Sequence, residues 1–473
     1  LFGFCVEIHK NMYTFSLPYG RTQIQVSIPY EVTVKGMGKA EVIADENAAI
    51  QAALRQPVAC APLETIARQK KKDNPLANAV IVVSDNTRPV PYRGEKGILT
   101  PIISGLLQGG FLEEEITVLI GAGSHRNMEP EEYELMLGLK AADFHNVQVA
   151  NHEYDNEAQL QFLGYTRRGS KVAINKQYWE ASLKIVTGLV ESHFMAGASG
   201  GRKGICPGIV GIETLEIFHG AALLSSSQAA DLVLEGNPLS DESLEIALMA
   251  GCDFLVNVTI DAEKRLTGVF AGDLVKAHQA AVSKIREYVV VPLEKTYDLV
   301  VIPGGFVGIN HYQLGKAAIE AARALKQGGC IVLVAHNTDT DPIGGFGYKQ
   351  ALALLEKLGV VGFLSAIAAP DWKMVQEQWQ VQMWCKVLQR TGGAEHIWYC
   401  GLEIPVVDYW GLPNMPGLSL LTAEEQNLPP LEAMPLMVSR AIEKAVEQLG
   451  ISNPEILVLK DGPYGIPEVI QPN

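Results

Sequence analysis

The sequence predicts an α/β protein of two domains, each built on a mainly parallel sheet with helices on both faces. Three observations predict it. Apolar β-type runs recur along the chain: AVIVVSD, ITVLIGAG, LKIVTGLV, DFLVNVTID, YDLVVIPGG, CIVLVAHN and EILVLKDG. Helical patterns lie between them, over 212–222, 272–287, 312–327, 347–358 and 434–449. Near-continuous Val/Ile runs separated by helices indicate strands buried on both faces of a parallel sheet. The length of 473 residues exceeds what one core normally encloses, so two domains are expected.

The elements follow in order. TFSLPYGRTQIQVSIP reads as a hairpin, after which strand and helix patterns alternate. The long helix ending at SKIREY gives way to VVVPLEKTYD near residues 288–298, the best boundary. This sets domains over 1–290 and 291–473, with the last strand a candidate to return to the first domain. Several strands end in small or polar residues: SDNTRP, GAGSHR, VESHF, PGGF and AHNTD. Ligands of open parallel sheets bind beyond the carboxyl ends of the strands, so those ends are the places to look.

Composition excludes several classes. The formal net charge of −15 repels polyanions, which argues against nucleic-acid binding. No stretch approaches eighteen apolar residues without polar interruption, so no membrane span is expected. The seven cysteines are scattered without a C-x-x-C pair, the usage of a reducing compartment. The opening LFGFCVEIHKN has no long apolar core and no small-residue cleavage site. The expectation is a cytoplasmic protein, with Met12 a candidate natural start and the first eleven residues an upstream extension.

The strand ends hold residues that chemistry can use. Asp85, Asn86, Thr87 and Arg88 directly follow AVIVVS and suit either a capped turn or a site, with Arg88 able to clamp an anion in two-toothed fashion. His125 follows a Gly-rich turn that lacks the third glycine of a dinucleotide fingerprint. His193 precedes GASGGRKG, which is no Walker loop because Arg202 separates Gly201 from Lys203. A glycine turn with solvated basic residues is the bland reading. The other is a cleared space with Lys203 as phosphate partner or amine nucleophile. His219 lies sixteen residues beyond Lys203, suited to a helix cap or to metal ligation. Gln313 and Lys316, three apart in the first turns of a helix, form a plausible anion-binding pair. Of Trp379 and Trp384 in QEQWQVQMW, only one sensibly lines a pocket.

Taken together, SDNTRP, GAGSHR, ESHFMAGASGGRK, the histidine sixteen residues after that lysine, YQLGK and QWQ resemble the lactate racemase family. The resemblance spans nearly the whole chain, from LPYG to DGPYGIP. It implies a nickel-pincer nucleotide, Ni(II)-pyridinium-3,5-bisthiocarboxylate mononucleotide, covalently attached at Lys203. By the same resemblance His219 would be the nickel ligand, and Asp85, Asn86, Thr87 and Arg88 would contact the cofactor. His125 and His193 would be the acid/base pair, and Gln313, Lys316 and Trp379 would bind substrate. The site would lie in the cleft between the domains. Proteins of cofactor biosynthesis would be transient partners.

The implied activity is inversion of the α-carbon of a 2-hydroxy acid by hydride transfer through a 2-keto acid. Its chemistry is consistent with these residue types. A carboxylate disfavours a second negative charge beside it, so plain deprotonation of the α-carbon is slow. Hydride removal while an imidazole takes the hydroxyl proton avoids that carbanion, and inversion calls for one imidazole on each face. Glu191 and Ser192 stand before His193 where apolar residues or proline are expected in lactate enzymes. Malate, longer 2-hydroxy acids and sugar acids therefore stand beside lactate as substrates. Two rival readings are a non-catalytic nickel-nucleotide carrier and an ordinary nicotinamide-dependent oxidoreductase. The second would show a G-x-G-x-x-G turn, which is not found.

Overall fold

The fold was obtained as a computed structural model that describes residues 12–94 and 96–470. The reading of the first eleven residues as an extension lies outside the described residues. The chain divides into two units, Lys39–Tyr288 and a second made of Leu1–Gly38 with Val289–Asn473.

In Lys39–Tyr288, a six-stranded sheet runs in the order Leu266–Gly272, Phe254–Ile260, Leu183–Leu189, Ala79–Ser84, Ile116–Gly121, Gln148–Asn151. All neighbours pair in parallel except the first two, which are antiparallel. The period-two alternation explains why these strands are apolar throughout. Ile81 and Val83 pack into one core with Ile50, Leu63, Ile102 and Leu106 from helices, whereas Val80 and Val82 pack into another with Tyr178, Ala247 and Ala277. Each face has its own helices, so neither can be polar.

The other unit holds a six-stranded parallel sheet in the order Met415–Pro416, Ile397–Cys400, Leu325–Val334, Tyr297–Pro303, Ile456–Leu459, Val32–Lys35. The hairpin Tyr13–Tyr19/Thr22–Ile28 belongs here. Its alternate residues Phe15, Leu17, Ile24, Val26 and Ile28 pack with Leu299, Val301 and the helix Pro430–Leu449. The expected first domain of 1–290 is therefore corrected at its start. Local patterning identifies a hairpin but carries no information about which distant core its apolar face meets. The last strand, Ile466–Val469, pairs with Val290–Leu293 and stays in this unit rather than returning to the first domain.

Helix positions follow the sequence reading with local differences. The expected 212–222 helix is two, Ile212–Phe218 and Ala221–Leu224. The expected 312–327 helix is His311–Ala324, because Leu325 already begins the next strand. The expected 347–358 helix extends over Phe346–Ile367, which is long and apolar enough to cross a membrane by length and composition. Its backbone breaks at Gly359 (φ 64°, ψ 173°), with Glu356 and Lys357 beside the break. An interrupted helix with charges at its middle suits a bilayer poorly. Cys60, Cys206, Cys252, Cys330, Cys385 and Cys400 are free thiols.

Candidate active site

Strand Ala79–Ser84 delivers Asp85, which is buried. The turn is fixed from below by Tyr92, whose hydroxyl accepts from Ser84 N at 2.7 Å and lies 3.0 Å from Thr187 Oγ1. Thr87 donates its hydroxyl to Asp85 Oδ1 at 2.6 Å. Asp85 Oδ2 lies 2.6 Å from Nδ1 of His125, which follows the neighbouring strand Ile116–Gly121. Burial alone would raise the Asp85 carboxyl, but hydrogen bonds from His125 and Thr87 outweigh it and hold the group below its ordinary value. The carboxylate only accepts, so Nδ1 of His125 carries the proton and Nε2 keeps its lone pair in the neutral ring.

The other members of the SDNTRP segment have different partners. Asn86 donates to Glu132 Oε1 at 3.0 Å, and Arg126 grips the same carboxylate at 2.7 and 2.8 Å. Arg126 foremost holds that carboxyl down to about 2. Arg88 is half-buried, and its guanidinium has no hydrogen bond or ion pair among the described residues. It is the member of the segment left open to an anion.

The His125 turn and the Lys203 loop are joined through their backbones. Gly123 N donates to Gly208 O at 2.9 Å, and Gly208 N donates to Lys203 O at 3.2 Å. Lys203 sits in a helical turn, Gly201–Gly204, after two glycines with positive φ. His219 caps the helix Ile212–Phe218, its Nδ1 3.2 Å from Leu215 O. A carbonyl accepts, so Nδ1 carries the proton and Nε2 holds the lone pair a metal would need. Burial pushes the ring down to about 4, with Lys203 and then His125 adding repulsion, so it is neutral near pH 7. A charge on Lys203, or on His125 when it is protonated, reaches this ring, which ties the three residues into a single electrostatic neighbourhood. No group of three or more His, Cys, Asp or Glu suited to a metal occurs among the described residues. A metal at His219 would thus need its remaining ligands from a bound group.

His193 pairs with Gly197 in a short hairpin that leads into the same loop. Its Nδ1 accepts from the backbone N–H of Met195 at 3.3 Å and Ala196 at 3.2 Å, so the proton of the neutral ring lies on Nε2. The two histidines therefore have opposite tautomers.

Gln313, Lys316 and Trp379 lie in the other unit. Asn310 caps the helix of Gln313 and Lys316 through Gln313 N at 2.8 Å, and Trp379, on the helix Gln378–Thr391, donates from Nε1 to Tyr312 OH at 3.2 Å. Beneath, fully buried His311 stacks on Trp384 with ring centroids 5.0 Å apart. Trp384 is thus a core residue packed under this helix, and Trp379 is the half-buried one, held by Tyr312 of the same helix.

Sequence reading missed Tyr312, His311, Asn257 and His278. Asn257 left a signal, as the one amide within the apolar DFLVNVTI run. The others are ordinary members of amphipathic helices whose partners come from remote segments.

Comparison with known proteins bears on the family. Residues 19–231 match the sequence model of the lactate racemase N-terminal domain. The lactate racemase of Lactiplantibacillus plantarum is 32% identical over 346 residues, 72% of this chain and 78% of that protein. The lactate racemase of Thermoanaerobacterium thermosaccharolyticum is 28% identical over 383 residues, 80% of this chain and 86% of that protein. In fold, the chain is similar to the T. thermosaccharolyticum lactate racemase apoprotein, with a TM-score of 0.81 at 24% identity, covering 96% of this chain and 100% of that one. A Thermotoga maritima protein gives a TM-score of 0.56 at 17% identity, covering 87% and 99%. The mixed α/β fold, the strand-end residues and the extent of these matches lead to one conclusion: the chain belongs to the lactate racemase family.

Proposed function

We propose that the protein is a racemase or epimerase that inverts the α-carbon of a 2-hydroxy acid, using a nickel-pincer nucleotide held at Lys203 and His219. Racemase function is supported by the lactate racemase relatives. The observation that carries the finer reading is the Gly123–Gly208 bond at 2.9 Å, which joins the His125 turn to the Lys203 loop.

The residues suit the group. His219 is neutral, with Nδ1 committed to a carbonyl, the state in which an imidazole ligates a metal. Lys203 supplies the amine at the end of a run of small residues, Ala196 to Gly201. Arg88 is open to an anion such as a phosphate. When bound, the nucleotide would supply reversible hydride acceptance from the α-carbon.

The chain's own residues handle the protons. His125 takes the hydroxyl proton at Nε2, while Asp85 holds Nδ1–H and stabilises the imidazolium that results. His193 would serve the other face: as an imidazolium it gives its Nε2 proton to the substrate oxygen, which requires Nδ1 to exchange the Met195 and Ala196 N–H groups for a proton, and in the reverse direction the ring takes a proton back at Nε2. Gln313 and Lys316 bind the substrate carboxylate, with Trp379 beside them. A passive carrier has no use for an exposed imidazole oriented by a buried carboxylate, so the Asp85–His125 pair favours a catalyst.

Protein produced together with cofactor-biosynthesis proteins tests the proposal. Intact mass should show an adduct that disappears in Lys203→Ala, with one nickel per chain. A screen of enantiopure 2-hydroxy acids in deuterium oxide should give inverted product with little deuterium at the α-carbon. Full deuterium incorporation would favour deprotonation and overturn hydride return.

A further inference from the structure

Beneath the Lys203 loop lie buried polar side chains that the proton chemistry does not use. Asn257 is fully buried in the strand Phe254–Ile260. Its Oδ1 accepts from Gly201 N at 2.9 Å, and its Nδ2 donates to Gly188 O at 3.2 Å. His278, on the helix Lys276–Val289, is also fully buried, with Nε2 2.9 Å from Ser199 O. The carbonyl accepts, so Nε2 is the donor. A Cβ on Gly201 would come within 2.4 Å of this ring, and one on Gly200 within 3.1 Å of Asn257 Oδ1. Gly200 (φ 71°) and Gly201 (φ 52°) occupy a region that L side chains rarely adopt. Arg202, next along, is buried and donates to Ser240 Oγ at 3.0 Å.

These features constrain the sequence. An amide inside a buried strand requires its partners to be satisfied, and at Gly200 and Gly201 the positive φ with the close approach of Asn257 and His278 admits glycine. A loop that merely had to turn would need neither an amide from one element nor an imidazole from another. Here both converge on the residues just before Lys203.

We propose that Asn257 and His278 are positioning residues that lock Ser199–Gly201 in the conformation presenting Lys203 for attachment of the nucleotide. The proposal rests on the reading of Lys203 as the attachment point. It makes the loop ordered before the cofactor arrives, so attachment carries little ordering cost.

The test compares wild type, Asn257→Leu, His278→Phe and His278→Gln, each shown to be folded by its cooperative thermal transition. Gln keeps a donor near the position of Nε2, whereas Phe keeps the ring and loses the donor. Hydrogen exchange of peptides spanning residues 197–204 is measured without cofactor, and Lys203 adduct is measured by intact mass after co-production with cofactor-biosynthesis proteins. Asn257→Leu and His278→Phe should exchange about tenfold faster over this segment, the order expected for loss of one buried hydrogen bond, and carry several-fold less adduct. His278→Gln should stay within about twofold of wild type in both readouts. Unchanged exchange in the folded Leu and Phe variants overturns the clamp. Faster exchange with full adduct overturns its link to Lys203. Wild type without any adduct overturns the attachment reading instead, and exchange alone then decides the clamp. If Asn257→Leu does not fold, the two His278 variants decide it.

Discussion

Asp85 Oδ2 and His125 Nδ1 lie 2.6 Å apart, a buried carboxylate against a largely exposed ring. The pair joins the ends of two adjacent parallel strands, Ala79–Ser84 and Ile116–Gly121, so its spacing is set by strand pairing rather than by a flexible tether. Thr187, on the next strand of the sheet, braces the same end through Tyr92. Asp85 is therefore a positioning residue for His125.

Asp85→Asn should leave the fold intact and lower kcat by roughly 10²–10⁴-fold, the range for general acid–base catalysis. The amide cannot favour the Nδ1–H tautomer as the carboxylate does. Nitrogen-15 shifts of His125 should show the proton moving towards Nε2, and an unchanged tautomer would sink the assignment.

The same carboxyl contributes to acid stability. Its folded pKa is depressed, so the contribution is full above the ordinary carboxylate value and is lost as pH falls through the folded value. Melting temperatures of wild type and Asp85→Asn should therefore converge below about pH 4.

Buried histidines act over a higher window. Burial lowers His278 to about 4 and His311 to about 3. Below the ordinary imidazole value the unfolded chain binds protons that the folded chain refuses, so stability falls as pH drops from about 6.5 towards 4. The loss should reach a few kcal/mol for a shift of this size, on the order of ~3. His311→Gln, less stable at neutral pH, should show a flatter dependence on pH in denaturant titrations. An equal slope would place the proton uptake elsewhere.

Tyr312→Phe removes the hydroxyl that holds Trp379 Nε1. Loss of one such bond is worth about 1 kcal/mol, so KM for the 2-hydroxy acid should rise roughly fivefold with kcat little changed. Steady-state kinetics of the loaded enzyme would separate the two. A fall confined to kcat would contradict a role in substrate binding.

Leu17→Ala should destabilise the unit containing residues 289–473 by about 2–5 kcal/mol, the usual loss for a buried leucine. Leu17 is fully buried in that core. Hydrogen exchange should rise over Tyr297–Pro303 and Pro430–Leu449 while Ala79–Ser84 keeps its protection.

The amino-acid sequence was enough for the fold class, because strands buried on both faces must be apolar throughout and helices must separate them. It also pointed to the strand ends as the candidate site, because ligands of open parallel sheets bind beyond the carboxyl ends of the strands. His125, Lys203 and His219 stood out as residue types at telling spacings. Their relation to one another was not legible, since the bond between Gly123 and Gly208 joins segments that share no local pattern. Tertiary structure also decided that the hairpin of residues 13–28 packs with the C-terminal unit, and that Asn257 and His278 reach up under a loop far away in the chain. The physical reason is common to all three: periodicity tells which face of an element must be buried, and only packing decides what buries it.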